Sequence, residues 1–153
     1  MLRICVLTTV HIADDNRVFH KELKSLKNSG NDIVYVAPGV ESGIRDGIEY
    51  VNYEKPSSKL KRMLDFYKVY KIVKATKCDV CHFHDVEGIL VGLLLKRKTD
   101  IKVIYDVHED YRNQMANKYY INRFLRKIFY RIVVFFENKA NRKFDYIITA
   151  DSG

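Results

Sequence analysis

Residues 79–107 read DVCHFHDVEGILVGLLLKRKTDIKVIYDV, and this stretch decides the fold. It opens with a short β-rich run, continues after Gly88 with a compact apolar run, and closes with a second β-rich run from Ile101 to Val107. A strand, a short helix and a strand at this spacing predict a βαβ unit. The two strands of such a unit are parallel, because the helix carries the chain back to the starting edge of the sheet.

The same alternation of strand and helix extends through the chain in both directions. Further strands are predicted at residues 2–8, 32–37, 47–53 and 145–150. Further helices are predicted from the Asp14-Asp15-Asn16 cap to Gly30, from Ser57 or Ser58 to about Lys77, and from Tyr119 to Arg142. We therefore expect an α/β fold, a doubly wound and mostly parallel Rossmann-like sheet with helices on both faces.

The composition of the chain is that of a single globular domain. It has 153 residues, of which 47% are hydrophobic and 30% are charged, and this mixture excludes a disordered or fibrous chain. We expect residues 1–153 to form one domain. The three cysteines lack the spacing of a disulfide framework, so we expect structural thiols, including the Cys78-x-x-Cys81 pair, in a reducing, cytoplasmic compartment.

Polar residues follow three of the predicted strands, at the points where those strands end. The segments are 8–17, 82–88 and 105–111, and they hold four of the five histidines. Because sheets of this kind bind ligands at the carboxyl ends of their strands, we expect these segments to form one site. The candidate site residues are His11, Asp14, Asp15, Arg17, His84, Asp85, Asp106, His108, Glu109 and Asp110.

Two interpretations stay open for the histidines. His82 and His84 lie two positions apart on one strand face, so with Asp85 and His108 they offer the residue types of a metal site. The preferred interpretation assigns no metal: His82 packs inside the sheet, and only His84 reaches the edge. His108, beside Glu109, is either an oriented base or sugar-hydroxyl partner, or part of a cluster that caps the next segment.

Three well-known functional motifs are absent from the sequence. No G-x-G-x-x-G follows the first strand, and neither G-x-x-x-x-G-K-[ST] nor G-x-S-x-G occurs. Their absence excludes the dinucleotide fingerprint, the P-loop and the hydrolase nucleophile elbow. In the first loop, Asp14, Asp15 and Arg17 either only cap the following helix or place a guanidinium beside a bound phosphate or sugar.

The net charge of +8 is concentrated in residues 117–143, which carry eight bases and one acid. The predicted helix there has one apolar stripe, formed by Ile121, Phe124, Leu125, Ile128, Ile132 and Phe136. The bases that flank the stripe are Arg123, Arg126, Lys127 and Arg131. This pattern indicates either a core helix with a solvated basic face or a helix that contacts an anionic membrane surface. Nucleic acid is disfavoured as a partner, because the aromatic residues lie on the apolar side of the helix.

Four quoted stretches resemble the N-terminal domain of glycosyltransferase family 4. They are HIADDNRVFHKELKSLKNSGNDIVYVAP (11–38), DVCHFHDVEGILVGLLLK (79–96), KVIYDVHEDY (102–111) and ENKANRKFDYIITADS (137–152). The similarity runs in order along nearly the whole chain. Its most specific part is the pair of segments HFHD and YDVHED.

The resemblance implies half of a GT-B enzyme, in which two Rossmann-like domains enclose a cleft. The N-terminal domain of such enzymes binds the acceptor, and the C-terminal domain binds the nucleotide-sugar donor. The sugar is transferred with retention of configuration, without a metal or other cofactor. By this resemblance His108 is the catalytic histidine near the transferred sugar. His84 and Asp85 line the acceptor side, and the His11 to Arg17 loop approaches donor phosphate and acceptor.

The resemblance also implies partners for the chain. The donor-binding domain lies outside residues 1–153, so we expect no turnover from these residues alone. The expected partners are a glycan or lipid-linked acceptor, a C-terminal GT-B half and an anionic membrane surface, which would place the protein in the cytoplasm, peripheral to the inner face of the membrane. The alternative is a Rossmann-like binding or interaction module without catalytic activity.

Overall fold

The computed structural model describes residues 1–9, 17–58, 61, 64–107 and 123–149, without the side chains of residues 17–20, 123, 125 and 126. The strands are β1 Arg3–Leu7, β2 Asp32–Pro38, β3 Gly43–Arg45, β4 Ile48–Tyr53, β5 Val80–Phe83, β6 Lys102–Val107 and β7 Tyr146–Thr149. The helices are α1 Arg17–Asn28, α2 Phe66–Ala75, α3 Gly88–Lys98 and α4 Arg123–Lys143.

The strands form one sheet in the order β3-β4-β2-β1-β5-β6-β7. Every neighbouring pair is parallel except β3 and β4, which form an antiparallel hairpin. Leaving β3 aside, the order is that of a doubly wound Rossmann sheet, in which the first strand lies between the second and the fourth parallel strands. The predicted fold class is therefore confirmed.

Strand β3 was not predicted from the sequence. This strand has three residues, all of them exposed, and it has no apolar alternation to reveal it. A local signal was nevertheless present, since Asp46-Gly47 joins β3 to β4 and both residues have positive φ, 52° and 71°. A two-residue Asp-Gly loop of this conformation is the turn that hairpins favour, because its twist matches that of the strands.

Successive side chains of each strand alternate between two apolar layers. Val6, Ile33 and Tyr35 face the layer that α1 covers with Leu23. The other face is covered by α2, α3 and α4, and its buried residues include Leu7, Val34, Val36, Phe83 and Tyr105. Helices on both faces explain why these strands read as continuous hydrophobic runs rather than alternating ones.

The three cysteines are buried, free thiols of the second layer, as expected for structural residues. The hydrogen bond with Cys5, followed by burial, raises the pKa of the Cys78 thiol well above its usual value. Cys78 and Cys81 lie in the same apolar layer although they are three positions apart. Cys78 precedes strand β5, so the alternation of side chains along a strand does not extend to it.

The apolar stripe predicted on helix α4 is only partly buried in its described residues. Phe136 and Ala140 pack in the second layer, but Phe124 is 70% exposed, and Ile128 and Ile132 are also exposed. The helix has 21 residues and its neighbour α3 has 11, or about 31 Å against about 16 Å. Helix α3 is therefore too short to cover the amino-terminal half of α4. None of the helices in the described part of the chain has the length and apolar character needed to cross a bilayer.

Candidate functional site

The strand order places a topological switch point at the carboxyl ends of β1 and β5. The chain leaves β1 toward β2 on one side of the sheet, and it later returns to place β5 on the other side. The connecting helices therefore diverge at this point and leave space between them, which is where open α/β sheets bind ligands. The segments Thr8-Thr9 and His84-Asp85 lie at this switch point.

Asp85 ties the ends of β1 and β5 together. Its Oδ2 atom accepts hydrogen bonds from the Thr8 hydroxyl at 2.9 Å, the Thr9 hydroxyl at 3.2 Å and the Thr9 backbone N–H at 2.5 Å. All three residues are buried. The Tyr53 hydroxyl, from β4, adds a hydrogen bond to the Thr8 carbonyl at 3.0 Å. The buried carboxylate thus fixes the position at which the chain leaves β1.

A second polar group lies on the α1 side of the same edge. Period two along β5 places His82 and His84 on the face that α1 covers, and Asp106 lies on that face of the neighbouring strand β6. Glu22 of α1 meets both imidazoles, with closest N···O distances of 2.9 Å to His82 and 3.1 Å to His84. The group therefore brings two imidazoles and two carboxylates from three elements together. We call Glu22, His82, His84 and Asp106 the imidazole–carboxylate group.

The charge state of Glu22 follows from this environment. Burial by itself would raise the pKa of the Glu22 carboxyl, but hydrogen bonds from His82 and His84 outweigh burial and lower that pKa from 4.5 to about 2. Glu22 is therefore a carboxylate at neutral pH. The Asp106 carboxylate approaches the same two imidazoles from the opposite side, at 3.5 Å from His84 and 3.8 Å from His82.

The turn after β5 has little freedom to change shape. The Gly88 N–H donates to the Asp85 carbonyl at 2.9 Å, and α3 begins at Gly88. A Cβ atom on Gly88 would lie 2.5 Å from the ring of Phe83. Phe83 is fully buried and stacks on Tyr105 of β6, with ring centroids 5.1 Å apart. Glycine is therefore the residue that lets the chain pass this ring and enter α3.

The structure brings together three of the predicted site residues. His84, Asp85 and Asp106 all lie at the carboxyl edge, with His84 and Asp106 in direct contact. Arg17 is the first residue of α1, but its side chain lies outside the described part of the chain, as do all atoms of six other candidates. These six are His11, Asp14, Asp15, His108, Glu109 and Asp110. Whether all three segments converge therefore stays a prediction.

Glu22 was missed as a residue of this edge, whereas Thr8 and Thr9 lie in the predicted edge segment 8–17 but were not among its candidate site residues. The signal for Glu22 was its position in α1, four residues after Val18 and four before Leu26. Residues at this spacing share one helix face, so an acid between them lies on the apolar face. Such an acid needs a polar partner inside the protein. The partners, His82 and His84, lie about sixty positions further along the chain, beyond the reach of helix periodicity.

These features define a class of domain, the Rossmann-like α/β domain with polar residues at its topological switch point. A family model described as Glycosyltransferase Family 4 matches residues 16–151. The chain therefore belongs to glycosyltransferase family 4, which supports a function of the glycosyltransferase type. No match was found among curated proteins.

Proposed function

We propose that this chain is the acceptor-binding half of a retaining GT-B glycosyltransferase. The enzyme would transfer a sugar from a nucleotide-sugar to a glycan or lipid-linked acceptor in polysaccharide or cell-envelope biosynthesis. The observation that carries the proposal is the hydrogen-bonded junction of Asp85 with Thr8 and Thr9 at the switch point of a family 4 domain. This junction leads directly into the segment that holds His11, Asp14 and Asp15.

The residues of the edge then divide into two roles. Asp85 is buried, and its Oδ2 atom accepts hydrogen bonds from the end of β1. Its proposed role is therefore to position the segment that follows Thr9. The direct contacts to sugar hydroxyls are proposed for the side chains of the flanking segments, residues 11–17 and 108–110. Carboxylates, imidazoles and guanidinium groups are the side chains that can accept from or donate to hydroxyl groups at several positions.

His108 is the proposed catalytic residue. In the sequence it directly follows Val107, the last residue of β6, and it lies two positions after Asp106. The donor is proposed to be held mainly by a second GT-B domain, with no cofactor and no metal in the transfer step. Because transfer requires both substrates in one closed site, residues 1–153 alone are expected to show no turnover.

Ligand binding by purified residues 1–153 tests this proposal. The acceptor probes are short glycans and a polyprenyl-diphosphate-linked N-acetylglucosamine. Their binding is compared with that of UDP- and GDP-sugars, the donor probes. Saturation-transfer NMR is expected to show acceptor binding that falls at least tenfold in His108→Ala and Arg17→Ala, because each removes a proposed sugar contact. The matched control Glu54→Gln, at an exposed site on the chain after β4, is expected to bind normally.

Two results would contradict the proposal. Turnover of any UDP- or GDP-sugar by residues 1–153 alone would show that the donor site is already complete. Binding of neither acceptors nor donors, by a chain shown by circular dichroism to be folded, would favour the alternative of a non-catalytic interaction module.

A second proposal concerns helix α4 and an anionic membrane surface. Phe124, Ile128 and Phe135 are exposed on the helix, at the spacing of one face. Lys127 and Arg131 are exposed on the same part of the helix. The helix thus presents large apolar side chains beside bases, which is the pattern of helices that lie in the headgroup region. Arg123 and Arg126, whose side chains lie outside the description, are proposed to add to this basic surface.

A groove beside α4 supports the proposal that this side of the protein faces the membrane surface. It lies between α2, α3 and α4 and has a volume of about 390 Å³. Its walls include Phe66, Leu93 and Phe136, and its rim includes Lys139 and Lys143. An apolar groove with a basic rim suits the acyl and phosphate parts of a lipid, so the groove and the exposed face of α4 would meet one surface. This places the protein, as a proposal, peripheral to the inner face of the membrane.

Liposome sedimentation tests the membrane proposal. The double variant Lys127→Glu/Arg131→Glu is expected to lower partition to phosphatidylserine vesicles at least tenfold, since each base near such a surface contributes about 1 kcal/mol. The matched control is Lys21→Glu/Lys24→Glu, which makes the same charge change at exposed sites on α1. Equal partition of the wild-type chain to neutral and anionic vesicles would contradict the proposal, as would equal losses in both double variants.

A further inference from the structure

The imidazole–carboxylate group has an arrangement that the proposed sugar transfer does not use. Glu22 meets one nitrogen of each imidazole, Nδ1 of His82 and Nε2 of His84. Asp106 meets the other nitrogen of each ring, Nε2 of His82 and Nδ1 of His84. The two carboxylates therefore lie on opposite sides of the same pair of rings.

This division of the four nitrogens is the one found around metal-binding histidines. A histidine that binds a metal through one nitrogen generally directs the other nitrogen to a carboxylate or carbonyl, which fixes the ring and its tautomer. On the Glu22 side, Nδ1 of His82, Nε2 of His84 and a carboxylate oxygen converge as three ligands. On the far side, the single Oδ2 atom of Asp106 lies 3.5 Å from Nδ1 of His84 and 3.8 Å from Nε2 of His82, so it would have to move closer to His82 to orient both rings by hydrogen bonds.

The dimensions of the group also suit a metal ion. One ligand atom each from Glu22, His82 and His84 lies within 4.8 Å of the other two. Zinc bonds of about 2.0–2.2 Å in tetrahedral geometry place ligand atoms roughly 3.3–3.6 Å apart, so small movements of three side chains would complete the site. The two imidazoles are centred 4.7 Å apart and are not stacked face to face, which leaves their edges directed at Glu22.

Burying polar side chains costs free energy unless another group compensates them. His82 and His84 are buried, and among the described residues Nε2 of His82 has no hydrogen-bond partner. Burying charged and polar groups in an apolar layer is unfavourable unless an opposite charge or a metal compensates them.

We propose that Glu22, His82 and His84 bind a divalent transition-metal ion of the Zn²⁺ class, with Asp106 orienting the two imidazoles. Two nitrogen ligands and one oxygen favour Zn²⁺, Co²⁺ or Ni²⁺ over Mg²⁺ and Ca²⁺, which prefer oxygen alone. The ion is structural: it fastens α1, through Glu22, to β5 and to the residue that follows it. Asp85, one of the metal candidates by sequence, is not among the residues whose ligand atoms converge, and its Oδ2 atom accepts hydrogen bonds from Thr8 and Thr9 instead.

Calorimetric titration of chelator-treated residues 1–153 with ZnCl₂ tests this inference. The expected result is one saturable site per chain, with a rise in Tm on adding Zn²⁺ and no rise with Mg²⁺.

Glu22→Gln, which keeps the shape of the side chain, is expected to weaken binding at least tenfold because it removes the charged ligand. Asp106→Asn is expected to weaken binding about tenfold to a hundredfold, the usual effect of losing an outer carboxylate. Glu54→Gln, an exposed acid outside the group, is the matched control and is expected to bind Zn²⁺ normally.

Cobalt substitution separates this site from the buried thiols. Tetrahedral Co²⁺ with nitrogen and oxygen ligands gives intense visible bands without the near-ultraviolet charge transfer of a thiolate. Such a spectrum, lost in Glu22→Gln, supports the assignment, and thiolate charge transfer would overturn it by placing the ion at Cys5, Cys78 or Cys81. Equal Zn²⁺ affinity in wild-type and Glu22→Gln chains would also overturn the assignment, as would no binding to the folded wild-type chain. The four side chains would then form a hydrogen-bonded group that binds no metal. None of these results depends on sugar transfer.

Discussion

Replacing Asp85 with alanine is expected to lower the free energy of unfolding by about 3–5 kcal/mol, the cost of breaking a buried, hydrogen-bonded charge. The change leaves the Thr8 hydroxyl, the Thr9 hydroxyl and the Thr9 N–H without their common acceptor. Because these donors are buried, water cannot replace the lost carboxylate without opening the end of β1. Urea denaturation followed by circular dichroism measures the effect.

Two further variants make the Asp85 prediction specific. Asp85→Asn keeps one carbonyl oxygen that can take the place of Oδ2, so it is expected to cost about 1–2 kcal/mol, which is less than alanine. Asp100→Ala, at an exposed position before β6, is the matched control and is expected to change stability by less than about 0.5 kcal/mol. An Asp85→Ala chain as stable as the Asp100→Ala chain would show that the junction contributes nothing to the fold.

Gly88→Ala is the second substitution expected to have a large effect, a loss of about 2 kcal/mol of stability. Alanine ordinarily stabilises a helix relative to glycine, by up to about 1 kcal/mol in its interior. Here the added methyl group would meet Cδ2 of Phe83 at 2.5 Å, and that ring is enclosed by Tyr105 and Phe144. The steric cost therefore exceeds the gain in helix propensity and reverses the sign of the effect. Thermal unfolding measures it.

A double-mutant cycle tests the cause of the Gly88 effect. Phe83→Ala removes Cγ, Cδ2 and Cε2, the ring atoms that the new methyl group would strike, so Gly88→Ala is expected to cost at least about 1 kcal/mol less in that background. Arg97→Ala, on the exposed side of α3, controls for a general effect of alanine in this helix. Additive effects of the two substitutions would refute the steric explanation.

Local patterns were sufficient to predict the architecture of the sheet. The six parallel strands and the helices between them follow from short apolar runs, caps and turn residues, and the strand order confirms the doubly wound fold. The carboxyl edge followed from the same reasoning, since polar residues after successive parallel strands gather at one edge. His84 and Asp106 do meet there, although they lie on different strands.

Long-range partners could not be predicted in the same way. Glu22 was visible as an acid on an apolar helix face, but nothing local to α1 indicates that it meets His82. Likewise, the apolar stripe of α4 was compatible with burial in the core or with contact to a membrane surface, and the exposure of Phe124 depends on how far α3 extends beside it. Periodicity reports which side of an element is apolar, and tertiary contacts decide what covers that side.

The junction at Asp85 links positions that lie 77 residues apart in the chain. One oxygen atom of Asp85 accepts all three hydrogen bonds. A substitution at Asp85 alone, or at the threonines alone, would therefore leave a buried polar group without its partner. We expect homologues to exchange Thr8, Thr9 and Asp85 as a set, so that covariation between these columns of an alignment would trace the contact. A designer who transplants the β1 loop into another scaffold would have to carry the acid along with it.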